Sequence, residues 1–194
     1  SKKLEDRYVG NAFIFESREA DKVLSYKTKK EDFRTLTKPY YDKREITDFK
    51  DLINQSVSIY GNKNAFSIKG IMGEYSGIKY KEFKKDIDAI GTEFINMGLK
   101  HEKIAVIGEN RYEWCLTYLS TVNGTGVIVP LDRALPENEI ISLVERSEVE
   151  AIFFSEKYNE VMEKINANKE SKVKFFISMD LDKKTENTYS QKEL

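Results

Sequence analysis

Apolar and polar residues alternate along residues 100–180 in a regular order of short strands and longer helices. Four apolar segments lie near residues 104, 127, 151 and 174, and amphipathic segments separate them. Short apolar strands that alternate with helices are typical of βαβ units, in which helices cover both faces of a parallel sheet. The pattern therefore predicts an α/β fold with a mostly parallel sheet and helices on both of its faces.

A different pattern precedes this sheet. Apolar residues between Phe49 and Tyr60 lie on one side of a predicted helix that Thr47 or Asp48 caps and Gly61 ends. Residues 64–80 place three glycines between short apolar segments, which favours a small hairpin. The next segment predicts an amphipathic helix that stops at Gly98. Its predicted buried stripe consists of Phe83, Ile87, Ile90 and Phe94.

The two ends of the chain are rich in charged and polar residues. Residues 1–45 show little sustained periodicity and predict an irregular arm. Residues 181–194 predict a polar tail that frays. Residues 46–180 are therefore interpreted as one subdomain between these ends.

Composition excludes several classes of function. The 194 residues include 32 Lys plus Arg and 33 Asp plus Glu, so the formal net charge is −1. A near-neutral chain has no global field that would hold nucleic acid or an anionic membrane. Cys115 and His101 are the single cysteine and the single histidine, which excludes intramolecular disulfides and Cys/His zinc sites and indicates a reducing compartment. No apolar run reaches a membrane span of about 20 residues, and a cytoplasmic location is expected.

The turn in KIAVIGENRYEW, residues 103–114, raises the question of a nucleotide site. A dinucleotide fingerprint needs several glycines, whereas this turn holds only Gly108 and continues into the bulky Arg111, Tyr112 and Trp114. NGTG at residues 123–126 is interpreted as a helix end that leads into a strand. No glycine follows Gly126, so a glycine-rich phosphate loop cannot form there. The sequence therefore predicts no cofactor-binding residue.

Four acidic residues each follow a predicted strand: Glu109, Asp132, Glu156 and Asp180. Ligands bind at this edge of open α/β sheets, so a magnesium site is conceivable. Acidic residues at the same edge also cap the following helices and complement their dipoles, and we favour this interpretation. No metal-binding residue is assigned.

Trp114 and Tyr118 lie one turn apart on the helix after Gly108 and therefore share a face. Packing into the core is one interpretation of this pair, and lining a hydrophobic substrate pocket is the other. Cys115 has no basic neighbour that would favour a thiolate and is expected to be inert. His101 lies in a polar loop and is expected to be a solvated turn residue.

Three segments, taken in order, resemble the beginning of the acyl-activating, adenylate-forming enzymes, and above all the long-chain fatty acyl-CoA synthetases of this AMP-dependent synthetase and ligase superfamily. The first is FKDLINQSVSIYGNKNAF, residues 49–66. The second, residues 80–114, contains a Gly-Leu turn and an Asn-Arg-x-Glu-Trp segment. The third, residues 126–154, contains a Gly-Val-x-x-Pro-Leu strand and a Pro-x-x-Glu helix start. The resemblance covers about residues 45–180.

This resemblance implies ATP-dependent activation of a carboxylic acid to an acyl-adenylate, followed by transfer to coenzyme A with magnesium. The family's phosphate loop, its nucleotide contacts and its lid with a catalytic lysine match no segment here, so no catalytic residue is assigned. The resemblance implies an N-terminal fragment, truncated before the phosphate loop, that is inactive alone and forms one wall of the acyl site. Its partner would be the remainder of the same polypeptide. The alternative is a self-contained, flavodoxin-like α/β module for binding or interaction.

Overall fold

The computed structural model describes residues 7–9, 12–14, 44–70 and 72–194. The chain divides into two compact units, Ser1–Glu45 and Ile46–Leu194. In the first unit, strand β1 (Arg7–Val9) pairs antiparallel with strand β2 (Ala12–Ile14). Most of the predicted irregular arm over residues 1–45 lies outside the described residues.

The second unit opens with helix α1 (Phe49–Tyr60). Asp48 caps this helix, because its Oδ1 accepts a hydrogen bond of 2.7 Å from the amide of Asp51. Gly61 follows the last helical residue, so both predicted ends are confirmed. Ile53 is buried, whereas Phe49, the first residue of the helix, is exposed. The predicted apolar side of α1 is therefore only partly buried.

A hairpin and a long helix follow. Strand β3 (Asn64–Lys69) pairs antiparallel with strand β4 (Tyr75–Lys79), and helix α2 (Tyr80–Asn96) starts immediately afterwards. The Glu82 carboxylate accepts the Lys79 amide at 2.9 Å and so fixes the start of α2. Gly98 has a φ of 79° just after the helix, which a glycine adopts without strain. The predicted stripe of α2 is confirmed as buried: it consists of Phe83, Ile87, Ile90 and Phe94.

Five strands form one parallel sheet, which contains the four predicted strands. They are β5 (Lys103–Ile107), β6 (Val127–Pro130), β7 (Ala151–Phe154), β8 (Phe175–Ser178) and β9 (Tyr189–Ser190). Their order across the sheet is β6-β5-β7-β8-β9, and every neighbouring pair is parallel. Strand β6 forms one edge and ends in Pro130, a residue that has no amide proton to donate.

The helices between these strands cover both faces of the sheet. They are α3 (Tyr112–Val122), α4 (Glu137–Ser147) and α5 (Asn159–Ala167), which follows a short 3₁₀ helix at Glu156–Tyr158. Ile104 and Val106 of β5 pack in one core cluster with residues of α1, α2 and α3. Ala105 and Ile107 pack in a second cluster with residues of α4 and α5. The α/β fold with a two-sided parallel sheet is therefore confirmed.

The end of the described chain differs from the prediction. Residues 181–194 were expected to fray, yet β9 adds a fifth strand and a 3₁₀ helix follows at Gln191–Glu193. Ser190 is 1% exposed, and its hydroxyl donates a hydrogen bond of 2.6 Å to the Leu181 carbonyl. The expectation was wrong because these polar side chains are buried with hydrogen-bond partners, which hydropathy alone does not reveal.

Candidate functional site

The candidate site lies where strands β5, β7 and β8 end, because all three point to the same edge of the parallel sheet. The turn after β5 carries Glu109 and Arg111, the turn after β7 carries Glu156, and Asp180 follows β8. Strands β6 and β7 lie on opposite sides of β5, so the chain reverses its winding here. Open α/β sheets bind ligands at such reversal points.

Asp180 joins the turns at this edge. One carboxylate oxygen accepts the Glu156 amide at 2.7 Å, and the other is paired with the Arg111 guanidinium. Asp180 therefore caps the 3₁₀ helix that begins at Glu156, although this helix precedes Asp180 in the chain. We expected these acids to cap the helices that follow them, and for Asp180 that expectation was wrong. Strand β7, which leads into this 3₁₀ helix, lies beside β8 in the sheet, and sequence order does not show this.

Arg111 forms a second ion pair with Glu113 in the first turn of α3, with 2.6 Å between Nε and Oε2. The two carboxylates raise the pKa of Arg111, while partial burial acts in the opposite direction. Burial by itself would raise the pKa of Asp180, but Arg111 and the Glu156 amide lower it overall. The edge is therefore a closed arrangement in which the guanidinium and the amide are already bound to a carboxylate.

The other acidic residues do not form a metal site. Asp132 accepts the amide of Ala134 at 2.9 Å within its own turn. Within residues 7–9, 12–14, 44–70 and 72–194, no group of three or more His, Cys, Asp or Glu side chains converges in a geometry that could hold a metal ion. Of the four predicted acids, Asp180 caps a helix and forms an ion pair, whereas Asp132 does not cap α4, whose N-cap is Pro136.

Gly108 lies in the turn after β5, beside the chain segments that follow β7 and β8. A Cβ at this position would lie 3.5 Å from Met179 Sδ and 3.6 Å from Ser155 Cβ, which is ordinary packing distance. In NGTG, helix α3 ends at Val122 and Gly124 has a φ of 104°, so the predicted helix end is confirmed.

Trp114 and Tyr118 stack on each other on α3. Their ring centroids are 5.5 Å apart with an angle of 22° between the planes, so the shared face is confirmed. Both side chains are partly buried, and Trp114 packs against the core cluster of α1, α2 and α3. Whether the pair also lines a substrate pocket stays a prediction.

Two cavities of the second unit lie away from Trp114 and Tyr118. One, of about 320 Å³, lies between α2, α3 and the last residues; its walls include Ile90, Leu116 and Gln191. The other, of about 500 Å³, lies between β7, β8, α5 and the loop after Asp180. Its apolar floor is Phe154, Met162 and Phe176, and four carboxylates lie around it: Glu156, Glu163, Asp180 and Glu186. Neither cavity is lined by Trp114 or Tyr118.

Two polar contacts of α3 were not anticipated from the sequence. Tyr112 donates its hydroxyl to Asp86 of α2, and the Gln191 amide donates to the Glu113 carbonyl and to Thr117 Oγ1. These partners are far apart in the chain, and no spacing rule connects them. Thr117 gave no signal of this contact, because its hydroxyl already donates to the Glu113 carbonyl within α3.

The remaining reactive side chains behave as predicted. Partial burial raises the pKa of the Cys115 thiol, which disfavours the reactive thiolate. His101 is an exposed turn residue with a φ of 70°. No helix in the described part of the chain is both long and apolar enough to cross a membrane.

A family model, a curated relative and several solved structures match this chain. The family model of the AMP-binding enzymes matches residues 53–194. Fatty acyl-CoA synthetase A of Dictyostelium discoideum is 30% identical over 112 residues, which are 57% of this chain and 16% of that relative. The chain thus spans a small part of the length of this curated relative.

Solved structures share the fold. The N-terminal domain of FACL13 from Mycobacterium tuberculosis superposes with a TM-score of 0.61 at 15% identity, over 70% of this chain and 34% of that one. Acetoacetyl-CoA synthetase from Streptomyces lividans superposes with a TM-score of 0.63 at 12% identity, over 76% of this chain and 24% of that one. Because the family model covers most of the chain from residue 53 to residue 194, this protein belongs to the family of AMP-binding enzymes.

Proposed function

We propose that this chain is the N-terminal part of an ATP-dependent, AMP-forming fatty acid–CoA ligase. The observation that carries the proposal is the 30% identity over 112 residues to a fatty acyl-CoA synthetase. The complete enzyme would convert a carboxylic acid to an acyl-adenylate and then to its coenzyme A thioester. We further propose long-chain acids as its substrates and the cytoplasm as its location.

The charges at the sheet edge support a phosphate site that is supplied by other parts of the polypeptide. The Arg111 guanidinium and the Glu156 amide are two groups at the sheet edge that could bind an anion, and Asp180 already binds both. The larger cavity nearby is lined by four carboxylates, which would repel a triphosphate. The contacts to ATP, magnesium and coenzyme A would therefore come from the remainder of the polypeptide, and residues 1–194 alone would be inactive.

The role proposed for this part is to form one wall of the acyl site. Adenylation requires the carboxylate to be held in line with the α-phosphate, so the acyl chain needs a rigid apolar support. The stacked pair Trp114 and Tyr118 on α3 could provide such a support, because each ring is only partly buried. This assignment agrees with the location of α3 directly on the core of the sheet.

ATP–pyrophosphate exchange tests the proposed reaction. The assay would compare residues 1–194 with the longer protein that contains them, each with octanoate, laurate and palmitate. We expect exchange by the longer protein, strongest with palmitate, and none by residues 1–194. Exchange by residues 1–194 would contradict their inactivity, and no exchange by the longer protein with any acid would refute the ligase assignment.

The acyl wall and the location need separate measurements. Trp114→Ala in the longer protein should raise the KM for the preferred acid while the KM for ATP stays unchanged. Ile95→Ala, at an exposed position of α2, is the matched control. Fractionation of cells that produce the longer protein should recover it with the cytosol, and recovery with membranes would refute the location.

A further inference from the structure

Gln191 makes a buried polar contact with the first two turns of α3. Its Nε2 donates to the Glu113 carbonyl at 3.1 Å and to Thr117 Oγ1 at 3.1 Å. Thr117 Oγ1 in turn donates to the same Glu113 carbonyl at 2.9 Å, so the three groups form a closed ring of hydrogen bonds. Gln191 is 5% exposed and Thr117 is fully buried. The contact joins residues 74 or more positions apart.

The carboxamide of Gln191 is less favourable for stability at this position than an apolar group. Gln191 Oε1 is buried and has no hydrogen-bond partner among the described residues. An unsatisfied buried acceptor lowers stability, whereas an apolar side chain of similar length would fill the space without that cost. Packing therefore does not explain the glutamine, but the directional bonds to α3 do.

The atoms that Gln191 holds lie next to the aromatic pair. Glu113 directly precedes Trp114, and Thr117 directly precedes Tyr118. A hydrogen bond to the Glu113 carbonyl and one to the Thr117 side chain together fix the rotation and the axial position of this part of α3. The ion pair of Arg111 with Asp180 holds the start of the same helix to the turn after β8.

We propose that Gln191 is a positioning residue for the acyl site, acting through α3 on Trp114 and Tyr118. The inference rests on the proposed function, since it assumes that these two rings contact the acyl chain. An apolar residue at position 191 would keep the fold and leave α3 free to shift. A misplacement of about 1 Å in a supporting element can lower activity strongly, because the reacting groups must be held in place.

The test is Gln191→Met in the longer enzyme, assayed by ATP–pyrophosphate exchange with octanoate, laurate and palmitate. We expect the KM for the preferred acid to rise about fivefold or more, with a changed preference among the three acids. The KM for ATP should not rise, and the melting temperature should not fall. A merely structural role would lower the melting temperature and leave the order of the acids unchanged.

Two further variants complete the design. Thr117→Val removes one acceptor of Gln191, so it should produce the same change in KM, and the double variant should add little. It also replaces the Gln191 variant if methionine prevents folding. Ser190→Ala is the matched control, because Ser190 directly precedes Gln191 and is also buried, but its hydroxyl donates to Leu181 instead of binding α3.

The outcomes separate the two proposals. A wild-type enzyme that activates none of the acids would overturn the proposed function and this inference together. An active wild type with unchanged acid KM values in Gln191→Met and Thr117→Val would overturn the inference alone. A KM change in Ser190→Ala equal to that in Gln191→Met would also overturn it, because the effect would then belong to the whole segment.

Discussion

Tyr112 on α3 donates its hydroxyl to Asp86 on α2, with 2.6 Å between Oη and Oδ2. Burial is the largest factor that raises the pKa of Tyr112, and the neighbouring Asp86 carboxylate adds to it. The phenol therefore stays protonated and remains a donor across the working pH range of most enzymes. This bond connects the two helices that pack on the same face of the sheet.

Tyr112→Phe should lower the free energy of unfolding by about 1 to 2 kcal/mol, because it removes a hydrogen bond to a charged acceptor. The ring remains, so its edge-to-face contact with Phe66 is retained. Urea denaturation of Tyr112→Phe, Asp86→Ala and the double variant would measure this. Additive effects of the two substitutions would show that the bond contributes nothing to stability.

Phe94→Ala should lower the free energy of unfolding by about 3 to 5 kcal/mol. Phe94 is fully buried on α2, and its ring lies 5.4 Å from that of Phe153 on β7. Ile95, the next residue of the helix, is 52% exposed, so Ile95→Ala should change stability by less than about 1 kcal/mol. Equal melting temperatures for the two variants would contradict the buried stripe.

Gly126→Ala should be destabilising by about 2 to 3 kcal/mol, since the new methyl group would overlap a backbone atom. Its Cβ would lie 2.5 Å from the Glu102 carbonyl oxygen, and backbone cannot move away as a side chain can. Gly108→Ala is the control, because its Cβ would meet neighbours at 3.5 Å or more. Thermal denaturation should therefore rank Gly108→Ala close to the wild type and Gly126→Ala well below it.

Asp180→Asn should remove a pH-dependent part of the stability. The pKa of Asp180 is lower in the folded chain than its ordinary value, so the folded state favours the carboxylate. The corresponding stabilisation is complete above the unfolded pKa of about 4 and is lost as the pH falls through the lower folded value. We expect the variant to be less stable by about 1 to 2 kcal/mol near neutral pH, with the difference shrinking in acid.

Asp182→Asn is the control for this pH dependence. Its carboxylate pairs with Lys192, but its side chain is 87% exposed. Solvent screens such a pair, so the substitution should have little effect at any pH. Denaturation curves from neutral pH to pH 3 would show the contrast, and a constant difference between Asp180→Asn and the wild type would contradict the role of the charge.

The fold was largely predictable because its signal is local. The apolar runs near residues 104, 127, 151 and 174 predict buried parallel strands, and all four are found in one sheet. The four-residue stripe of α2 follows helical spacing and is buried. Strand β9 was missed because it is two residues long and polar, so its burial depends on partners that only the assembled sheet provides.

The contacts of the candidate site were less predictable, because they join residues that are far apart in the chain. The sequence placed Glu109, Asp132, Glu156 and Asp180 at strand ends correctly, but it could not show that Asp180 binds Arg111 across 69 positions. Gln191 gave no signal at all, because its partners are a backbone carbonyl and the hydroxyl of Thr117. Hydrophobic patterns in the sequence predict where helices and strands lie, whereas the pairing of polar side chains depends on the packed structure.

Pro130 has a consequence for how this sheet can meet other polypeptides. The amides of Val127 and Leu131 donate to Glu102 and Val106 beside β5, so alternation directs the amides of positions 128 and 130 to the open side of β6. At position 130 that donor is missing, and the open side keeps only the Ile128 amide. A foreign strand could not complete a hydrogen-bonded ladder there, which protects the exposed Val127 edge against edge-to-edge aggregation. A polypeptide that covers this edge can bond to the backbone at Ile128 but finds no donor at position 130.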